Sequence, residues 1–567
     1  MGQKRQRILG IVLLVVLLVS VFCCAITAVL GFRLVFRRED SAEKMQITVL
    51  YSPEKEAWFV PLVEEFNEGQ ERAGDMEVEV VAEAMDSGEA LEAILAGERS
   101  PTVWSPASTL WVPLLNYRWQ EHTGSTEPLG IYPEPLVISP LVIAMWEDRA
   151  GAMGYPDRDI GWQDIISATL DPLGWGAYGH PLWGSFKLGH TNPYFSNSGL
   201  LSVAAEGYAA AGKVRDLTPA DLARPAAQAY IQKIERAIIH YGESSEYFAR
   251  QMAERGPAYA SAAVLEEHTV VRLNEGHYGS PPQRLVAIYP KEGTFWSDHP
   301  YVILRGEWVS PEQQSAALAF REFLLSSEAQ RRALAAGFRP ADTSIALTDS
   351  IIGPAAGVDP FQPQTVLEVP SAETIDALLE TWLGVRKRVN ILLVVDISGS
   401  MEGEKLAAVQ DGLNLFLEQL ADDDRAGILV FNDQVSTLTP LTELGPKRRA
   451  VEQAIGGLWA QYKTVLYDVT LESLRQISLA YDPERINAVV LMTDGQDTAS
   501  WTDRDTLMSE LQRSASSGQP VRIFTIAYGD DAERDLLEDI AEVTEGRMVE
   551  GTPENIRRLY VILSSYF

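Results

Sequence analysis

The stretch NILLVV, residues 390–395, constrains the fold more than any other part of the chain. A strand with one wet face alternates apolar and polar side chains. A strand covered on both faces is apolar throughout, and such strands belong to parallel sheets sandwiched between helices. The flanking sequence repeats that logic. Leu406, Val409, Leu413, Phe416, Leu417 and Leu420 recur at helical spacing, and AGILVF (426–431) gives a second strand. Asn432-Asp433 offers a tight turn into QVSTLT, which reads as an antiparallel edge. Further strands are expected at AVVLMT (488–493) and RIFTIA (522–527), with helices over 446–458, 466–480, 533–544 and 553–564. Strands alternating with helices specify an α/β, doubly wound, mostly parallel sheet over residues 388–567.

In such sheets ligands sit beyond the carboxyl ends of the strands. The first strand runs straight into Asp396, Ser398 and Ser400, and Asp494 follows the strand ending at Thr493, on the same rim. Thr464, in QYKTVLYDV, stands just before a helix and is placed to reach that rim. Two carboxylates and three hydroxyls, with no His or Cys, make a hard all-oxygen donor set. It suits a divalent cation, Mg²⁺ before Mn²⁺ or Ca²⁺, and disfavours Zn²⁺ or Cu²⁺. So few charged ligands leave room for water and for an outside carboxylate.

DISGSMEGEKL, KTVLYD and LMTDGQD together resemble the three loops of a von Willebrand factor type A (VWA) domain, a Rossmann-like fold with a metal-ion-dependent adhesion site. The resemblance covers about 180 residues. It implies that Ser398, Ser400 and Thr464 ligate the ion directly, that Asp396 and Asp494 act mostly through water, and that a protein partner's Asp or Glu completes the shell. Tyr462 and Lys463 depart from the pattern, which commonly has small residues before the threonine. Lys463 either competes with the metal or points to solvent.

At 567 residues the chain is too long for one core. Its formal net charge of −32 argues against nucleic acid, since phosphate binding needs a basic face. Ile8 to Phe32 carries no charge and is long enough to span a bilayer, so residues 1–40 are expected to be an uncleaved transmembrane anchor. Both cysteines, Cys23 and Cys24, lie inside it, so the remainder has neither a disulfide nor a thiolate metal site.

The middle block, 46–345, begins QITVLYSPEKEAWFVPLVEEFNE, a strand, a loop and an amphipathic helix, and TVWSPASTLWVPLL (102–115) repeats the arrangement. GHTNPYFSNSGLLSVAAEGYAAAG (189–212) sets a polar loop before an Ala-rich helix, where Ser196, Asn197 and Ser198 either hold an anion or cap the helix. With AIYPKEGTFWSDHPYVIL (287–304) and SSEAQRRALAAGFRP (326–340), the order of segments resembles bacterial extracellular solute-binding proteins of the two-lobed periplasmic type. That resemblance implies two α/β lobes joined by crossing strands, closing by a hinge on a small solute. Its cleft candidates are Ser52, Trp104, Ser105, Ser185, Asn192, Ser196 and Tyr289. Aromatics at 104, 186 and 194 would either stack on a sugar ring or build the core.

Residues 351–370, rich in Pro and Gly, suit a linker, and Ser371 is placed to cap a helix with Ile375, Leu378, Leu379 and Trp382 on one face; the connection spans 346–387. A solute receptor belongs outside the cell, which puts the N-terminus in the cytoplasm and the bulk beyond the membrane in a single-pass arrangement. No phosphate-cradling loop, HExxH or GxSxG motif occurs; His180 and His190 read as loop histidines and Glu266-Glu267 as helix surface, so an enzyme is not expected. Two binding roles remain. One is a surface scaffold that senses a solute and grips a protein through its metal. The other is a component delivering solute to an ABC-type importer.

Overall fold

A computed structural model describes residues 44–567, apart from 71, 74–75, 348–350, 462, 518 and 520. The expected anchor over 1–40 lies outside these residues, and among the described ones no helix is long and apolar enough to cross a membrane.

Two sheets organise residues 44–340. The first-lobe sheet runs in the order Arg72–Ala73, Met76–Ala84, Lys44–Tyr51, Val103–Ser105, Pro300–Leu304, Gly130–Pro135. The second-lobe sheet runs Leu285–Ile288, Val137–Trp146, Ala262–Glu266, Leu188–Thr191, Ile238–Gly242. The chain crosses between lobes at 135–137 and returns at 297–300. The long strand Val137–Trp146 is stitched at its start by Arg339–Pro340 and Trp296–Ser297. These are the crossing strands that a two-lobed fold requires.

The terminal sheet is ordered Val435–Glu443, Arg425–Phe431, Arg388–Asp396, Arg485–Thr493, Arg522–Tyr528, Met548–Gly551, parallel throughout except for its first, antiparallel edge. Its central strand explains the apolar run. Ile391, Leu393 and Val395 pack with Val409, Leu413 and Phe416 on one face, and Leu392 and Val394 pack with Leu466, Val469 and Leu507 on the other. The helix Arg504–Ala515 and the strand Met548–Gly551 were not legible in the sequence.

The connection is pinned rather than loose. Ala287 N–H donates to Gly357 O, Thr294 N–H to Thr365 O, and Arg339 to the carbonyls of Asp359 and Pro360. Ser371 caps the helix Ala372–Val385, accepting from Thr374 N–H, and Ile375, Leu378, Leu379 and Trp382 are buried as expected. From this helix one apolar core continues unbroken into the terminal domain. Trp382 meets Tyr241 edge-on at 5.1 Å, and Tyr566 packs on Tyr247 at 5.3 Å. Lys387 Nζ and Arg522 donate to Ile238 O and Ile239 O, and Arg236 pairs with Glu484 at 3.1 Å. Arg388, Arg485 and Arg522 begin their strands, so the terminal domain docks by the amino edge of its sheet. Its carboxyl rim faces away from the lobes.

Candidate functional site

The carboxyl rim gathers the predicted metal ligands. Asp396 ends the central strand fully buried. Ser398 N–H donates to its Oδ1 at 2.7 Å, and the Thr493 hydroxyl donates to its Oδ2 at 2.5 Å from the neighbouring strand. Burial pushes the Asp396 carboxyl up to about 6, against the opposing pull of those two hydrogen bonds. Ser398 Oγ and Ser400 Oγ are 3.0 Å apart, and the Ser400 hydroxyl donates to Asp494 Oδ1 at 2.6 Å. Asp494 is buried, whereas Ser400 is exposed on the outer lip.

Thr464 arrives from the third segment. Its loop is locked to the Asp494 turn: Thr464 N–H donates to Thr498 Oγ1 at 3.0 Å, and Thr498 N–H returns a bond to Thr464 O at 2.9 Å. A β-carbon on Gly495 would sit 3.7 Å from Thr464 Oγ1, so that hydroxyl borders the Asp494–Gly495 turn. Asp396, Ser398, Ser400 and Asp494 are thus joined by hydrogen bonds and Thr464 borders the Asp494–Gly495 turn, from loops up to 98 positions apart. The donor chemistry fits a hard divalent cation.

The cation that reaches this rim is Lys405, whose Nζ stands 2.5 Å from Asp494 Oδ2. Lys463 is exposed, in line with its solvent-pointing alternative. Lys405 opens the helix Glu404–Glu418 directly after the serine loop, and the sequence pattern gave no reason to single it out.

Between the lobes the cleft candidates divide. Ser52 and Ser105 adjoin: Ser52 N–H donates to Ser105 O, and the buried Lys55 ammonium donates to Ser52 Oγ at 2.6 Å and to Ser105 O at 2.8 Å. Ser105 Oγ and Ser196 Oγ are buried without a partner. Facing lobes touch closely here. Gly88 N–H donates to Phe195 O, and a β-carbon on Gly88 would fall 2.0 Å from Tyr194 O, so only glycine allows this approach. Trp111 Nε1 of the first lobe donates to Asn197 Oδ1 of the second at 3.1 Å.

The other candidates lie elsewhere. Ser185 is exposed before the strand Leu188–Thr191, at the end opposite Asn192, against Gly174. Asn192 lines a cavity of ≈ 200 Å³ with Trp382, Arg386 and Phe567, at the joint with the terminal domain. Tyr289 donates to Glu267, which Arg339 clasps with two bonds of 2.8 and 2.6 Å. Trp104 and Phe186 are core residues, and Tyr194 packs on Trp382 at 5.9 Å.

Glu266 and Glu267 correct the sequence reading outright. Both are fully buried, because Glu266 ends the strand Ala262–Glu266 inside the interlobe region. Glu266 accepts from Ser245 at 2.6 Å and from Asn197 at 3.2 Å. Burial raises the carboxyl groups of Asp86, Glu246 and Glu266, and the charge of Glu54, one of whose buried oxygens lacks a partner, raises them further. Glu266 reaches about 7, and desolvation lowers Lys55 to about 7.

The family described as bacterial extracellular solute-binding protein matches residues 47–339. The chain belongs to that family. The solute-binding domain is followed by a VWA domain, matched over residues 390–556. Both are binding modules. An uncharacterized protein of Mycobacterium tuberculosis is 25% identical over 470 residues, covering 79% of this chain and 65% of that protein; the chain thus spans just under two thirds of that relative's length. The human inter-alpha-trypsin inhibitor heavy chain H6 is 26% identical over 167 residues, 28% of this chain and 13% of that one. Among solved structures, the periplasmic binding protein AfuA from Actinobacillus pleuropneumoniae aligns with 17% identity and a TM-score of 0.41, covering 60% of this chain and 99% of that one.

Proposed function

We propose that this chain is a membrane-anchored extracytoplasmic receptor. Its solute-binding domain senses a small molecule, and its VWA domain grips a protein partner through Mg²⁺ held by Ser398, Ser400 and Thr464, with Asp396 and Asp494 behind them. The observation that carries this reading is the placement of the metal rim on the sheet edge opposite the joint, where a partner's Asp or Glu has free approach. Delivery to an importer gains no comparable support. The test is capture of partner proteins from membrane extracts of the source cell, in Mg²⁺ and in chelator, with wild type and Asp396→Ala. Capture that needs both metal and Asp396 supports the reading; capture indifferent to both contradicts it.

The cleft further indicates the solute's charge. There Glu54 acts on Asp86, Glu246 and Glu266, and Glu246 acts on Asp86. Arg558 acts on Asp86 and Arg272 on Glu246, whereas burial lowers the nearby Lys55 to about 7. A cation would favour the ionised form of these raised carboxyls and an oxyanion would not, which favours a compact amine or ammonium compound as solute. Thermal shifts with a panel of amines against phosphate and sulfate decide this, since a ligand selective for the native state raises Tm. Stabilisation by anions alone would overturn it.

A further inference from the structure

The second lobe holds a polar cluster that neither the cleft nor the VWA rim uses. His190 on the strand Leu188–Thr191, Glu206 on the helix Asn197–Ala211 and Glu235 at the end of the helix Pro225–Glu235 are at most 1% exposed. One donor atom from each lies within 4.8 Å of the others.

One oxygen of this cluster is left out of its hydrogen bonds. His190 Nδ1 is 2.7 Å from Thr191 O, and only an N–H can face a carbonyl oxygen, so Nδ1 carries the hydrogen. The other ring nitrogen, Nε2, stands 3.1 Å from Glu235 Oε1. The other Glu235 oxygen already accepts from the Tyr241 hydroxyl at 2.5 Å. Glu206 Oε1 accepts from Ser202 at 2.9 Å, while its Oε2 is buried with no partner. One imidazole nitrogen and two carboxylates thus gather in a buried space, with one carboxylate oxygen left unpartnered. Among the described residues no Lys or Arg pairs with either carboxylate.

We propose that His190, Glu206 and Glu235 form a second metal site that takes a borderline divalent transition ion, Zn²⁺ before Mn²⁺ or Fe²⁺. One imidazole nitrogen with two carboxylates is a donor set these ions accept. Donor atoms around an ion with bonds of about 2.0–2.1 Å sit roughly 3.0–3.4 Å apart, and the observed 3.1 Å between His190 Nε2 and Glu235 Oε1 falls in that range. The Nδ1–H to Thr191 O bond supplies the outer contact that orients a metal-binding imidazole. Glu235 also lines a cavity of ≈ 260 Å³ with Gln232, Arg236, Lys387 and Glu484. Tyr241, bonded to Glu235, also accepts from Lys387 N–H, so the ion would stiffen the joint to the VWA domain.

The test uses untagged full-length chain carrying Asp396→Ala, which removes the VWA ion from the count. After chelator treatment and reloading with Zn²⁺, elemental analysis is expected to give about one zinc per chain, falling at least tenfold when Glu206→Gln is added. Zinc-edge X-ray absorption of the Asp396→Ala protein, independent of whether Glu206→Gln folds, is expected to show one imidazole among oxygen ligands. No retained zinc, or an all-oxygen shell, would overturn the proposal and leave a buried acid pair sharing a proton.

Discussion

Lys405 Nζ lies 2.5 Å from Asp494 Oδ2, so an ammonium group already offsets one carboxylate of the rim that is built for a dication. The lysine is one-third exposed, and its stem leaves it free to swing out when a metal enters. Lys405→Met removes that competitor. Mg²⁺ is expected to bind on the order of tenfold more tightly by isothermal titration, and the metal-free protein to melt lower because Asp494 loses its counter-charge. Unchanged affinity would show that the lysine leaves the site at no cost.

Acid should loosen this protein through three buried histidines. Burial lowers His240 and His268 to about 3 and holds His299 well below its ordinary value. A group depressed on folding stabilises above its unfolded value near 6.5, and that contribution is lost as pH falls toward its folded one. Stability should therefore fall between pH 6.5 and 4 by several kcal/mol, as followed by urea unfolding at stepped pH. His240 accepts from Tyr259 at 2.7 Å and stacks on Phe248, so His240→Phe should flatten part of that slope.

Glu266 works with the opposite sign. Its folded value of about 7 exceeds the ordinary 4.5, so its contribution is present below 4.5 and lost as pH rises toward 7. Glu266→Gln should raise Tm at pH 8 in solute-free protein, while a cationic solute should lose its stabilising effect. A mutant that still responds to amines would remove Glu266 from recognition.

Trp382 joins lobe, connecting helix and VWA domain. Trp382→Ala should destabilise by roughly 3–5 kcal/mol and split a single calorimetric transition into two as the domains uncouple. One transition at an unchanged Tm would mean the joint does not depend on it.

The rim was legible because each ligand follows an apolar strand or precedes a helix, so local pattern alone put Asp396 and Asp494 on one edge. Other features were not. The helix Arg504–Ala515 buries only Leu507 and Leu511, too few for a visible period. The strand Met548–Gly551 buries Val549 at a sheet edge, with no apolar run. Glu266, Glu267 and His190 looked like surface or loop because burial of a polar side chain is decided by partners distant in sequence: Arg339, Asn197 and Glu235. Ser185 was misplaced for a related reason, since the end of a strand that faces the cleft depends on sheet topology. The docking of the VWA domain left no local signal at all.

Diffraction from crystals soaked in Mn²⁺, with data collected to reveal its anomalous scattering, tests the central claim most directly. A peak on the carboxyl rim, roughly 2.2 Å from the hydroxyls of Ser398, Ser400 and Thr464 and absent in Thr464→Val, is the predicted result. An empty rim in wild-type crystals, with Lys405 still on Asp494, would contradict it.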